Sequence, residues 1–190
     1  MLILYVHGAG ASPRSFAWLR EQLDYPARFF QYSINEPTTS VAQRLAHQIE
    51  EAAQPTMLVG HSLGGILALG CANSAHVVRV VTLCAPFGGL RHADLIALFT
   101  SHPLVQDLRF YSPLLTGLRL AHHLKPHLAI VGSHGLPFLA GDNDGAVTVA
   151  SQTALTGAHY EVVELNHFEV LLSDQVASLI RSFACEVPVL

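Results

Sequence analysis

The stretch VGHSLGGILALG, residues 59–70, sets Ser62 between Gly60 and Gly64, where an apolar run ends and a second apolar run begins. A hydroxyl flanked by residues without side chains, at the point where a strand pattern gives way to a helix pattern, predicts a sharp strand–turn–helix junction of the G-x-S-x-G type. Glycines are needed there because strand and helix approach so closely that a side chain at either flank would collide, and the turn forces strained dihedrals on the serine. The expected result is an exposed Ser62 hydroxyl at the carboxyl end of a central strand. Such junctions belong to open α/β sheets, so this stretch constrains the whole chain.

The remaining sequence fits that constraint. Short apolar runs at 2–6, 28–34, 56–60, 78–84, 127–132 and 160–165 alternate with segments at helical spacing, the pattern of a mostly parallel six-stranded sheet with helices on both faces. SPRSFAWLREQL spaces Phe16, Leu19 and Leu23 along one face after Ser12 as N-cap and Pro13 in the first turn. TTSVAQRLAHQIEEAAQP spaces Val41, Leu45 and Ile49 four apart and stops at Pro55, while SDQVASLIRSF lines up Val176, Leu179, Ile180 and Phe183 after a Ser173 cap. Residues 87–126, between the fourth and fifth strands, exceed a minimal crossover and carry DLIALF and PLLTGLRLAHHL, so a helical excursion or cap is expected there.

A chain of 190 residues without a visible linker or repeat is expected to form a single domain, residues 1–190. Net charge of −4 and a pI near 6.3 lack the basic footprint of nucleic-acid binding. Charged residues are only 13%, against roughly 25% in ordinary domains, which implies some exposed apolar surface and leaves a homodimer open. Cys71, Cys84 and Cys185 are odd in number and lie in apolar sequence, as expected of buried free thiols in a reducing compartment. MLILYVHGAG reads as a first strand, and without an apolar run of about 18 residues no integral membrane segment is expected; a cytoplasmic location is the expectation.

A serine hydroxyl is a weak nucleophile that needs a base, and the base needs an orienting acid; on an α/β sheet these follow the serine in the order acid, then histidine. GDNDGAVTV follows the fifth strand and NHFEVL the sixth, which brings forward Asp144 and His167, with Asp142 as the alternative acid. The helix beginning at Leu63 aims its free N–H groups at a developing oxyanion, and VHGAG after the first strand offers a second donor at the Ala9 N–H. His7 and His61 fit local hydrogen bonding, and His122, His123 and His127 lack a carboxylate or cysteine at metal-ligand spacing. Phe168 reads as packing; Leu95, Leu98, Phe99, Leu114, Leu115 and Leu118 read equally as core or as an acyl pocket with a lid.

VHGAGASPRSFAWLREQL, GHSLGG, TLCAPFGG, GDNDGAVTV and NHFEVL resemble, in kind and order, elements of the small bacterial lipases and carboxylesterases of the α/β-hydrolase superfamily, over most of the chain outside 90–126. PFGG is similar to the PHGG of lipases. The resemblance implies an α/β-hydrolase fold and a triad of Ser62, Asp144 and His167 with oxyanion donors at Ala9 and Leu63. It also implies hydrolysis of small acyl esters without a cofactor. One departure concerns calcium: many larger lipases follow the histidine with Leu-Asp and ligate calcium through that aspartate, whereas Phe168 and Glu169 stand here, so no metal is carried over. A thioesterase or acyltransferase would use the same triad, and a non-catalytic binding module is the alternative from a different class.

Overall fold

The structure, a computed structural model, describes residues 1–90, 106–137 and 141–186. Its strands are β1 (Leu2–Val6), β2 (Ala27–Phe30), β3 (Thr56–His61), β4 (Val77–Leu83), β5 (His127–Gly132) and β6 (His159–Val163). The helices among the described residues are α1 (Ala17–Gln22), α2 (Thr38–Ala52), α3 (Leu63–Gly70), α4 (Pro113–Leu120), α5 (Val149–Gln152) and α6 (Asp174–Cys185). All six strands are parallel, in the order β2-β1-β3-β4-β5-β6. This is the α/β-hydrolase arrangement expected from the alternation of apolar runs and amphipathic segments.

The central strands β1, β3, β4 and β5 are buried along nearly their whole length because both faces of the sheet are covered. Side chains alternate between two cores. Leu58 joins Val41, Leu45 and Ile49 of α2, Ile66 of α3 and Leu115 of α4; Met57 and Val59 join Phe16, Leu19 of α1 and Val176, Ile180 and Phe183 of α6. The strand order reverses direction between β1 and β3, so the loops leaving their carboxyl ends diverge and open a crevice. Val6 and Gly60 are paired at the last rung of that contact, and the two glycine-bearing motifs emerge side by side.

Several boundaries differ from the sequence expectation. The second strand stops at Phe30 rather than reaching residue 34, because Tyr32 swings over the end of β1: its ring stacks on His7 with centroids 4.4 Å apart, and its hydroxyl donates to the His7 carbonyl at 2.8 Å. Pro13 opens a 3-10 turn (Pro13–Phe16) ahead of α1, and Ser12 caps it without a side-chain hydrogen bond. Ser173 does cap α6, accepting from the Val176 N–H at 3.4 Å. Cys71 and Cys84 are buried, but Cys185 is exposed, since it ends α6 at the surface beside the Tyr25 hydroxyl, 3.8 Å away.

Part of the expected excursion, including DLIALF with Leu95, Leu98 and Phe99, lies outside the described residues. Its later part forms α4, whose N-cap Ser112 accepts from the Leu115 N–H at 3.2 Å. Leu115 and Leu118 are buried in the core that includes Phe87 and Leu155, with Leu114 packed against it, so these three leucines belong to the core. Arg119 fastens the segment, donating to the carbonyls of Phe87 at 2.8 Å and Phe110 at 2.5 Å and lying 4.4 Å above the Phe110 ring. No helix among the described residues is long and apolar enough to cross a membrane.

Candidate active site

The loops leaving β1, β3, β5 and β6 converge at one edge of the sheet. Ser62 sits between β3 and α3 with φ 54 and ψ −122, a backbone region that costs an ordinary residue about 1–3 kcal/mol. Its N–H donates to the Leu83 carbonyl at 2.8 Å, which anchors the turn to β4. A Cβ on Gly64 would strike the carbonyl oxygens of Val6 and His7, and one on Gly60 would strike the Gly64 backbone. The sequence folds this way because only residues without side chains let α3 start directly against β1 and β3.

The loop after β1 lies against the same turn, as a Cβ placed on Gly8 would come within 3.2 Å of the Ser62 Cβ and 3.0 Å of His61 Nδ1. Ala9 is exposed in that loop, and Leu63 opens α3, where the first N–H groups have no acceptor within the helix. His61 is buried and its Nε2 donates to the His167 carbonyl at 2.8 Å. Burial, with the nearby His167 ring second, lowers the His61 pKa to about 4, against weaker opposing contributions from the His167 carbonyl and Asp144. His61 is therefore neutral near pH 7, a brace between the serine turn and the histidine loop.

His167 and Asp144 are joined twice. The His167 Nδ1 donates to Asp144 Oδ2 at 2.7 Å, and the His167 backbone N–H donates to the Asp144 carbonyl at 2.8 Å. With the proton on Nδ1, the Nε2 of His167 carries the lone pair. The fully buried Asp144 also accepts through Oδ1 from the N–H groups of Ala146 at 2.9 Å and Val147 at 2.7 Å. Burial alone would raise its pKa, but His167 and these two amides outweigh burial and hold the carboxyl below its ordinary value. Asp142, the alternative acid, is exposed, and its carbonyl accepts from Val149 at 2.8 Å; the structure brings Asp144 to His167 instead.

Ser62 and His167 are linked through His61, whose ring centroid lies 4.7 Å from that of His167; among the described residues the Ser62 hydroxyl itself is not hydrogen-bonded to the imidazole. Among the described residues, Cys84, Asp144 and His167 are the group with metal-competent side chains, their ligand atoms all within 4.8 Å. Both Asp144 oxygens already accept hydrogen bonds, from Ala146, Val147, Gln152 and His167 Nδ1, so the trio fits a hydrogen-bonded cluster better than a metal centre. His122, His123 and His127 form no metal-ligand group among the described residues: His123 bonds the Leu118 carbonyl at 2.8 Å, and His127 bonds Thr82 Oγ1 at 2.9 Å.

Two buried amides escaped the sequence reading. Asn143 braces the acid loop, its Oδ1 accepting from the N–H groups of Leu136 and Gly145, both at 2.9 Å. Gln152 donates to Asp144 Oδ2 at 3.3 Å. Asn143 was open to recognition, because an Asx turn within NDG is a local pattern. Gln152 carries no such signal in its sequence surroundings.

A parallel sheet of this order, with a serine on the strained turn after its third strand, defines an α/β hydrolase. Residues 3–174 match the model of the alpha/beta hydrolase family, and the chain belongs to that family. The mature form of a Bacillus licheniformis lipase is similar in structure, with a TM-score of 0.80 and 22% identity over 95% of this chain and 90% of that one. A lipase-esterase related protein from Clostridium acetobutylicum follows with a TM-score of 0.69 and 19% identity over 96% and 93%. A metagenomic carboxyl esterase has a TM-score of 0.76 and 15% identity over 97% and 74%. No curated protein matches the chain by sequence.

Proposed function

We propose that the protein is a serine hydrolase that cleaves carboxylic esters of small acyl substrates through an acyl-enzyme. The observation that carries this reading is the Asp144–His167 pair, fixed by a 2.7 Å hydrogen bond and a second backbone bond, beside a serine on a strained turn. The names of the structural neighbours, a lipase, a lipase-esterase related protein and a carboxyl esterase, point the same way.

In this mechanism the Ser62 oxygen attacks the ester carbonyl carbon while His167 Nε2 takes its proton. Asp144, ionised through its hydrogen bonds, keeps the Nδ1 proton in place and stabilises the imidazolium. Negative charge on the carbonyl oxygen is met by the Leu63 and Ala9 N–H groups, each worth about 3 kcal/mol in the transition state. The tetrahedral species collapses, the alcohol leaves with the His167 proton, and water then repeats the sequence to release the acid and free Ser62.

The test is steady-state hydrolysis of p-nitrophenyl esters from acetate to palmitate by the wild type and Ser62→Ala. The expected outcome is turnover by the wild type and a fall of several orders of magnitude in the variant, as for loss of a triad nucleophile. Equal activity of the two proteins would remove Ser62 from the chemistry. Product analysis with thioesters and with added alcohol tests whether the leaving group or the acceptor differs from an ordinary ester and water.

A further inference from the structure

One donor to Asp144 has no place in the mechanism above. Gln152, the last residue of α5, is 1% exposed, and both ends of its amide are engaged. Its Oε1 accepts from the Gly132 N–H at 3.0 Å. Its Nε2 faces three acceptors: the carbonyls of Gly132 at 3.0 Å and Val147 at 3.2 Å, and Asp144 Oδ2 at 3.3 Å. This set fixes the amide's orientation, because the flipped amide would turn an oxygen toward three acceptors and an NH2 toward a donor.

The geometry follows from where β4 ends. Ile130 of β5 accepts from the Cys84 N–H at 2.9 Å on the β4 side of the sheet. Two residues further on, Gly132 points its own N–H and carbonyl the same way, but β4 has ended at Leu83. The Gln152 amide takes the place of the missing strand. Having done so, it reaches the carboxylate that holds His167, and it bonds the same oxygen, Oδ2, that accepts from His167 Nδ1.

We propose that Gln152 is a positioning residue of the hydrolase site, which ties the Asp144 carboxylate to the end of β5 and shares its negative charge with His167. The proposal rests on the reading of Ser62, Asp144 and His167 as the catalytic triad. The Oδ1 bonds from Ala146 and Val147 hold one oxygen, and the Gln152 N–H joins His167 Nδ1 in holding the other, which fixes the rotation of the carboxylate from the side of β5. Without this donor, more of the Asp144 charge falls on the His167 proton, and the acid limb of Ser62 reactivity moves to higher pH. Among the described residues, the other titratable groups facing the pair are His61 from the end of β3 and Cys84 from the end of β4, with Glu169 bonded to the Asn166 N–H. All three are the same in every variant below.

The experiment measures the rate at which a fluorophosphonate probe labels Ser62, as a function of pH, with the labelled residue identified by peptide mass and folding checked by circular dichroism. It compares the wild type, Gln152→Met, Gln152→Asn, Asp144→Asn and the Gln152→Met/Asp144→Asn double variant. Gln152→Met is expected to slow labelling near neutral pH by about tenfold, the scale of one lost hydrogen bond to a charged group, and to move the acid limb upward. In the Asp144→Asn background the same change is expected to do little, because the charge it acts through is gone. An unmoved acid limb, or an equal loss in both backgrounds, overturns the role of Gln152. Should Gln152→Met fail to fold, Gln152→Asn keeps a neutral amide but is one methylene shorter and withdraws its N–H from Asp144 Oδ2; it is expected to move the limb up, and an unmoved limb overturns the proposal. If the wild type is not labelled at Ser62, the serine-hydrolase reading falls and takes this one with it. Labelling with an unchanged profile in the Gln152 variants sinks only the second.

Discussion

At the scale of single residues, chemistry and packing leave different marks on the sequence. Ser62, Asp144 and His167 could be put forward from the sequence because each residue type has few other reasons to follow a strand in that order, and between the two aspartates the structure pairs the buried Asp144, not the exposed Asp142, with His167. Gln152 was not legible, because its partner Gly132 lies twenty residues earlier and the need for it arises from a strand that stops short. Gly64 has little freedom. Gly64→Ala is expected to cost more than about 3 kcal/mol, read as a lowered urea midpoint, since the added carbon meets the backbone oxygens of Val6 and His7 at the end of β1, which cannot move aside. Asp144→Asn is expected to keep the fold and lose about a thousandfold or more in ester turnover, because the imidazole is then no longer held in one tautomer; an effect below tenfold would point to another acid.

At the scale of elements, the apolar runs located all six strands, whereas their ends were set by contacts the pattern does not contain. The second strand ends where Tyr32 finds His7, and the first helix begins as a 3-10 turn because Pro13 precedes it. The excursion is fastened in its later part by Ser112 and Arg119. Ser112→Ala is expected to destabilise α4 by about 1 kcal/mol through loss of its cap. Arg119→Met, which removes the bonds to the Phe87 and Phe110 carbonyls, is expected to speed amide hydrogen exchange across residues 106–112 while leaving β4 and β5 unchanged. Unchanged exchange in that stretch would show that the guanidinium does not hold it.

At the scale of the whole molecule, the buried imidazoles govern how the fold responds to acid. Burial lowers the pKa of His61 to about 4 and, with His123 a lesser cause, that of His127 to about 3. Both stay neutral in the fold and become charged once unfolded below about pH 6.5, so the unfolded chain binds more protons in that window. Stability is therefore expected to be full above pH 6.5 and to fall as the pH drops toward 4, by on the order of 3 kcal/mol for each group. Asp144, held below its ordinary value, adds its own loss at lower pH still. Urea midpoints measured from pH 7 to 4 check this, and a flat profile would mean that these rings take up protons within the fold. The left-handed backbone at Ser62 has a consequence on a longer timescale. Glycine there would relieve the strain and is expected to make the protein about 1 kcal/mol more stable while removing the hydroxyl. Thermodynamic drift thus runs against the serine in every generation, and a descendant lineage that ceased to need turnover would gain by losing it.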